Sequence, residues 1–341
     1  MNVRPTIRDV AQAIGVSHTT VSMALRNDPR ILKSTRKRVA LEAIRMGYRS
    51  DPVVSELMVH LRKSRKCISQ NPLAMLTAWP TRNGWRERPH FVQFYKSAQA
   101  QAMSLGYVLD EFWLREPGMT ARRMTSILRT RNVRGIILQA LPEPEGRLDL
   151  GWQYFSGVAK GLTVAYPRTH RVVSSHYDDM RLVVRQLAQC GYQRLGLIMD
   201  EGESRRVGHA WLAGYYLHQH SVSPEDWVPA LFVGGAKAEA QFQQWHGRYR
   251  PEVIIFTNLP MREWVSRIGL KVPRDIGLVD LVRTREDTSM TGIDTDPEAL
   301  GVAAVDLLVG QLQAHEYGIP KRAKIVEVTG QWVPGKTVQK Q

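Results

Sequence analysis

Cysteine is nearly absent: Cys67 and Cys190 are the only two among 341 residues, and they stand in unrelated contexts. That excludes a disulfide framework and a thiolate zinc site, and it fits a reducing compartment. Long apolar runs are missing as well. No stretch approaches the roughly 18 consecutive apolar residues that a membrane-spanning helix needs. The first residues, MNVRPTIRDV, carry charge without a following apolar segment, so no secretory signal is expected and the chain is placed in the cytoplasm. Catalytic signatures are lacking too, with no G-x-S-x-G elbow, no H-E-x-x-H and no G-x-x-x-x-G-K-[ST] loop. His218 and His220 stand two apart on an expected helix, so they point to different sides and do not chelate one metal. Asp294-Thr295-Asp296-Pro297 begins like a calcium loop but lacks its glycine and distal glutamate, and fits a helix cap instead. The expectation is a protein that is not an enzyme, with no metal and no cofactor.

Acidic side chains are also in short supply, 32 against 47 Lys and Arg, for a net charge of +15. The imbalance is concentrated. Residues 1–70 hold fourteen Lys and Arg against Asp9, Asp28, Glu42, Asp51 and Glu56, which places +9 in the first fifth of the chain. A basic head on a milder body is the electrostatic footprint of a phosphate-backbone binder.

Three short helices are expected in that head. Thr6-Ile7-Arg8-Asp9 has capping-box spacing, in which cap and third-position side chains satisfy each other's amides. Val10, Ala11 and Ile14 then recur at helical spacing, and Gly15-Val16 breaks the helix. Ser17 is a good N-cap for a second helix, in which Val21, Ala24 and Leu25 share one side. Its other side is centred on Thr19, Ser22 and Met23, with His18 and Thr20 flanking. A third helix is expected from about Ser34-Thr35, with Val39, Ala43 and Met46 inward, Arg36, Lys37 and Arg38 in its first turn, and Gly47 at its end. Helix, tight glycine turn, helix with a short polar outer face, helix: this is a helix-turn-helix, whose second helix enters the DNA major groove. That outer face carries small hydrogen-bonding groups because the groove admits a helix but little further bulk.

"TIRDVAQAIGVSHTTVSMAL" followed by "STRKRVALEAIRMGYRSDP" resembles the DNA-binding head of the lactose/galactose-repressor family of bacterial transcription regulators, without a gap across about residues 6–58. By that resemblance Ser17, His18, Thr19, Thr20, Ser22 and Met23 face DNA, with His18 and Thr19 chiefly discriminating bases. Thr6, Arg30, Thr35 and Tyr48 match backbone-contacting positions. Members usually carry Arg or Lys where this chain has Met23, so a guanine-reading fork is missing at that step.

The stretch "RSDPVVSELMVHLRKSRK" starts a further helix, with Asp51 as N-cap, Pro52 at the first helical position, and an apolar stripe of Val54, Leu57, Met58 and Leu61. A helix of two to three turns is marginal alone in water and needs a partner. The resemblance implies a hinge helix paired across a dimer, with Leu57, and Val54 beside it, set into the minor groove.

Beyond residue 71 short apolar runs alternate with helical patterns. Strands are expected at 73–79, 107–114, 135–141, 162–166, 172–177, 194–200, 230–233, 253–258, 276–281 and as a pair near 324–333. Such a pattern indicates parallel sheets covered on both faces, arranged as two doubly wound subdomains with ligand space at the carboxyl ends of the strands. The family body is similar to the periplasmic sugar-binding proteins, with an effector between the lobes. Here the sugar-binding groups are replaced: Trp211 stands at the arginine position, Asn258-Leu259 at the Asn-Asp pair, Val282-Arg283 at an acidic position, and Tyr166-Pro167 where an aspartate ends a strand. Tyr166, Trp211, Asn258 and Asp280 remain as expected cleft groups. A simple hexose is disfavoured, and an aromatic effector, an acidic one or none stay open.

The organisation expected is therefore a helix-turn-helix domain at 1–50, a hinge helix and basic linker at 51–71, and an α/β effector-binding and dimerisation domain of two lobes at 72–341. The expected function is a repressor that acts as a homodimer on a near-palindromic double-stranded DNA operator, modulated by a small-molecule effector, nucleoid-associated, without membrane contact. The alternative is a sugar-like small-molecule binding protein that does not act on DNA.

Overall fold

A computed structural model describes residues 5–25, 28–48 and 71–341. The expected hinge residues Val54 and Leu57 lie outside the described residues.

The head consists of α1 (Ile7–Ile14), α2 (His18–Leu25) and α3 (Lys33–Arg45). The capping box forms as its spacing predicts. Thr6 accepts from the Asp9 amide, and the Asp9 carboxylate accepts from the Thr6 amide at 2.6 Å. Gly15, at φ 73°, turns the chain out of α1, and the amide of Val16 reaches back to the Ala11 carbonyl at 3.1 Å. Gly47 does the same after α3, with Tyr48 donating to Ala43 at 2.9 Å. Both are glycine-terminated helix ends, where a left-handed residue costs a Cβ-bearing side chain free energy. Val10, Val21 and Val39 pack with Ala11, Ala24 and Ala43 into one small core, flanked by Ile7, Ile14, Leu25 and Met46.

The body is two six-stranded sheets. The first, in order β13-β7-β5-β3-β1-β2, is wholly parallel and comprises β1 (Asn71–Thr77), β2 (Tyr107–Trp113), β3 (Gly135–Leu138), β5 (Ser156–Lys160), β7 (His170–Ser174) and β13 (Ile325–Val328). The second, β14-β12-β11-β10-β8-β9, comprises β8 (Leu195–Asp200), β9 (Leu231–Val233), β10 (Val253–Phe256), β11 (Gly277–Asp280), β12 (Thr291–Asp294) and β14 (Gln331–Val333). It is parallel except for the β12–β14 pair. A two-stranded piece, β4 (Gly146–Arg147) with β6 (Val164–Tyr166), stands beside the first sheet.

Alternation explains why the strands are almost continuously apolar. Leu73 and Met75 join one core cluster while Ala74 and Leu76 join the cluster on the opposite face. Helices cover both faces: α4 (Pro89–Ser104) and α5 (Ala121–Thr130) on the first lobe; α6 (His176–Gln189), α7 (Glu201–Arg206), α8 (Ala210–Gln219), α9 (Ala238–Tyr249) and α10 (Met261–Arg267) on the second. The last helix, α11 (Pro297–Gln313), returns to the first lobe and packs along α4, so Leu300, Ala304 and Leu308 sit in the core beside Phe94 and Ala98. The chain thus crosses between the lobes three times, after β7, after β12 and after β13.

Three strands were not expected from the sequence: β4, β5 and β12. In β5 the stretch Ser156-Gly157-Val158-Ala159-Lys160 offers too few large apolar side chains to stand out, yet all five residues are buried, because neighbouring β3 and β7 hold it in the sheet interior. The expected strand 162–166 shrinks to β6, an outlying strand. Elsewhere the strands fall within a few residues of their expected bounds.

Candidate nucleic-acid interface and cleft

On α2, Val21 and Ala24 are buried while Ser17, His18 and Thr19 are exposed. The side chain of Ser17 caps the helix, accepting from the Thr20 amide at 3.0 Å, and the two hydroxyls share a hydrogen bond at 2.8 Å. Ser17 and Thr20 therefore fix the helix start, and His18 and Thr19 project between them. Ser22 and Met23 are half-buried on the same helix.

The expected backbone-contacting residues lie on other elements of the same head. Thr6 is exposed, with its hydroxyl held by Asp9 at 2.8 Å. Thr35 lies in the first turn of α3, whose N-terminus has no side-chain cap and begins with Lys33, Ser34, Thr35, Arg36 and Lys37. Cations at the positive end of a helix dipole are unfavourable by themselves, and an anion arriving there reverses the sign. Tyr48 packs half-buried against the head core. Arg30 is clamped by Asp28, its Nε and Nη2 donating to the two carboxylate oxygens at 3.0 and 2.7 Å. Those hydrogen bonds, and next to them the charge of Arg30, hold the buried Asp28 carboxyl well below the usual carboxylate range. The guanidinium side chain itself is 74% exposed, an oriented cation at the edge of the head.

The second candidate site is a cavity of about 100 Å³ between the two lobes, at the carboxyl ends of β5 and β7. Of the four expected cleft residues, Trp211 and Asn258 line it. Tyr166 and Asp280 are not among the lining residues. Tyr166 stacks under the guanidinium of Arg147, 4.7 Å from ring centroid to Cζ, and Asp280 turns back to accept from the Val282 amide at 2.9 Å. Both are diverted because strand ends leave free amides and surface faces that nearby groups satisfy first.

The lining holds charged groups that the sequence reading missed: Arg88, His90, Lys160, His176, Glu203 and Arg206. Lys160 ends β5, is 6% exposed, and lies 3.8 Å from the ring centroid of Phe91 and 4.7 Å from that of Phe94. Burial, then the charges of Arg206 and Arg88, push its ammonium well below the ordinary lysine value. Burial, then Lys160, pulls His176 down to about 4. Burial, Lys160, Arg88 and Arg206 also lower His90. Glu203 stands across the cleft from Arg88, at 2.8 Å, and lies 3.5 Å from Arg206 Nε. Arg206 also donates to the carbonyls of Leu141 and Pro142 on the other lobe. No sequence signal marked these residues as one group; a charged residue closing an apolar stretch, as Lys160 does, is the one hint that existed.

Among the described residues no group of His, Cys, Asp or Glu is arranged to hold a metal ion, and no helix is long and apolar enough to cross a membrane.

Residues 6–51 match the family described as bacterial regulatory proteins, lacI family, and residues 184–338 match the periplasmic binding protein-like domain. The HTH-type transcriptional repressor PurR of Klebsiella pneumoniae is 24% identical, with 90% of each chain covered. Its namesake in Edwardsiella ictaluri is 24% identical over 98% of this chain and 96% of the relative. Among solved structures, a cellobiose complex of the transcriptional regulator CelR aligns with a TM-score of 0.62 at 16% identity, covering 98% of this chain and 100% of that one. A lac repressor dimer bound to operator and the anti-inducer ONPF aligns with a TM-score of 0.57 at 20% identity, covering 99% and 100%.

Proposed function

We propose that the chain, whose residues 6–51 match the lacI family of bacterial regulatory proteins, is a transcription repressor that binds double-stranded DNA as a homodimer. The observation that carries this is the second helix of the head: Val21 and Ala24 anchor it in the core while His18 and Thr19 stand exposed between the capping pair Ser17 and Thr20. A helix so placed presents short polar groups at the width the major groove accepts. His18 and Thr19 read bases, with Ser17, Thr20, Ser22 and Met23 completing the surface. Thr6, Arg30, Thr35 and Tyr48 fix the register on phosphates, which positions the head without reading sequence.

Two-fold symmetry makes the operator near-palindromic. The segment 51–71 links head to body, and in this reading Val54 and Leu57 enter the minor groove of the paired half-site. The body, 72–341, takes a small-molecule effector in the cleft lined by Trp211 and Asn258, and the angle between the lobes sets the spacing of the two hinges. The protein works at the nucleoid and carries out no catalysis.

Selecting bound duplexes from a random oligonucleotide pool with the full chain tests this reading. A two-fold symmetric consensus is the expected product. A selection that recovers no preferred sequence at physiological salt rejects it.

A further inference from the structure

We propose that the ligand of the inter-lobe cleft is a small organic anion, bearing a carboxylate or phosphoryl group, and that Glu203 occupies its anionic subsite until it arrives. The inference rests on the cleft being the effector site, and it concerns what chemistry that site accepts.

Three basic side chains, Arg88, Lys160 and Arg206, converge on one cavity whose one lining carboxylate is Glu203. Lys160 is the telling member. Its Nζ has no hydrogen-bond partner among the described residues, although the residue is 6% exposed. Its near neighbours are the Phe91 and Phe94 rings, and a buried N–H donor with no acceptor is costly. Trp211, 2% exposed, likewise has an unpartnered Nε1 in the same lining. Both are donors, and both lack the same thing, an acceptor.

The backbone adds to the field. Helices α4, α6 and α11 each begin at the cavity, contributing His90 and Phe91, His176, and Pro297 and Leu300 to its wall. The starts of α4 and α6 have no side-chain cap. Convergent helix N-termini favour negative charge and leave amides free to donate to it. Glu203 already shows how a carboxylate is received, lying 2.8 Å from Arg88 and 3.5 Å from Arg206. It also bridges the lobes, so an incoming anion that takes its arginines exchanges an internal contact for a ligand contact. Val172, Val282 and Leu300 add apolar surface to the lining, so the rest of the ligand carries non-polar surface. A neutral sugar can offer Lys160 a hydroxyl acceptor but brings no charge to the arginines.

Titration calorimetry on the full chain with matched probes tests the proposal: benzyl alcohol, benzoate and phenyl phosphate; then glycerol, glycerate and glycerol phosphate. The charged members are expected to bind at least about tenfold more tightly than their neutral partner, the worth of one charge-assisted hydrogen bond. Preference for benzoate and glycerate, or for the phosphoryl compounds, identifies which anion the site takes. Lys160→Met is expected to reduce the difference between charged and neutral members by about tenfold. Glu203→Gln is expected to tighten anion binding, because it removes the resident competitor, and this arm stands if Lys160→Met fails to fold. Proton uptake on anion binding at neutral pH, read from the heat in two buffers of unlike ionisation enthalpy, follows if the anion draws a proton back onto Lys160 or the facing His90 and His176.

Equal binding of neutral and charged probes overturns the proposal. So does an absence of anion binding at millimolar concentration, or weaker binding in Glu203→Gln. The oligonucleotide selection is independent of all these outcomes and reports on the regulator reading alone.

Discussion

Thr19 and Arg30 illustrate two kinds of contact that one small head makes possible. Thr19 is exposed at the start of α2 with its neighbours' hydroxyls already paired, so in the proposed reading its own methyl and hydroxyl meet a base edge. Thr19→Ala is expected to cost about 1 kcal/mol on the preferred sequence and little on unrelated DNA, measured by competition binding. Arg30, held on Asp28, presents an oriented charge, which in the proposed reading meets a phosphate. Arg30→Ala is expected to weaken all sequences alike and to lower the salt slope of binding by about one. A sequence-selective loss there would contradict the assignment. Asp28 adds a pH signature. Its carboxyl is depressed in the folded head by the hydrogen bonds of Arg30, so its stabilising contribution is present above about pH 4, the unfolded value. It is lost as pH falls below that. An Asp28→Asn head is expected to lack this component of acid unfolding, checked by circular dichroism from pH 6 downward.

At the scale of elements, the contact between α4 and α11 binds the first lobe together. Gly301 makes it possible: a Cβ there would run into Ser97 Oγ and lie 2.5 Å from the Phe94 carbonyl oxygen. Gly301→Ala is expected to push the helices apart and cost about 1–3 kcal/mol in thermal unfolding. Gly310, on the same helix with nothing within 4 Å of its missing Cβ, supplies the contrast. Gly310→Ala is expected to stabilise by roughly 0.5–1 kcal/mol, because alanine restricts the unfolded chain without meeting an obstacle. Helix propensity alone would give both substitutions the same sign; packing separates them. Capping was legible at this scale. Thr6 with Asp9 and Asp296 at the start of α11 both cap as their spacing predicts, with Asp296 accepting from the Ala299 amide at 3.0 Å. These are contacts over three residues, which sequence spacing fixes directly.

For the whole molecule, two of the three crossings between lobes meet at Asp179. It is 1% exposed and accepts from the Gly330 amide at 2.8 Å, which ties the crossing after β7 to the one after β13. Burial raises its carboxyl to about 7, against the pull of the Gly330 hydrogen bond, and Asp178 adds to the rise. His176, 3.9 Å away, is neutral above about 4, so the two do not form an ion pair near neutrality. A raised carboxyl stabilises fully below its unfolded value near 4, and that contribution is lost as pH climbs through about 7. Asp179→Asn keeps the acceptor for Gly330 and removes the charge. The variant is expected to be more stable than the parent at pH 8, by roughly 1–4 kcal/mol, and no more stable at pH 4, in denaturant titrations. Equal differences at both pH values would show that the substitution acts through packing.

The amino-acid order by itself determined what depends on near neighbours: the caps, the glycine ends, the buried and exposed sides of α2, the basic head and the alternation of strands with helices. Those features follow from periods of two and 3.6 residues and from charge, which act over a few positions along the chain. Only the folded arrangement decided β5, whose small and charged residues become strand because β3 and β7 flank them, and with it the place of Lys160. It likewise brought Arg88, Lys160, His176, Glu203 and Arg206 to one cavity and turned Tyr166 and Asp280 away from it. Those residues come from strand and helix ends on separate lobes. The distances among them are set by how sheets twist and helices pack, and the linear spacing of the residues carries no trace of that.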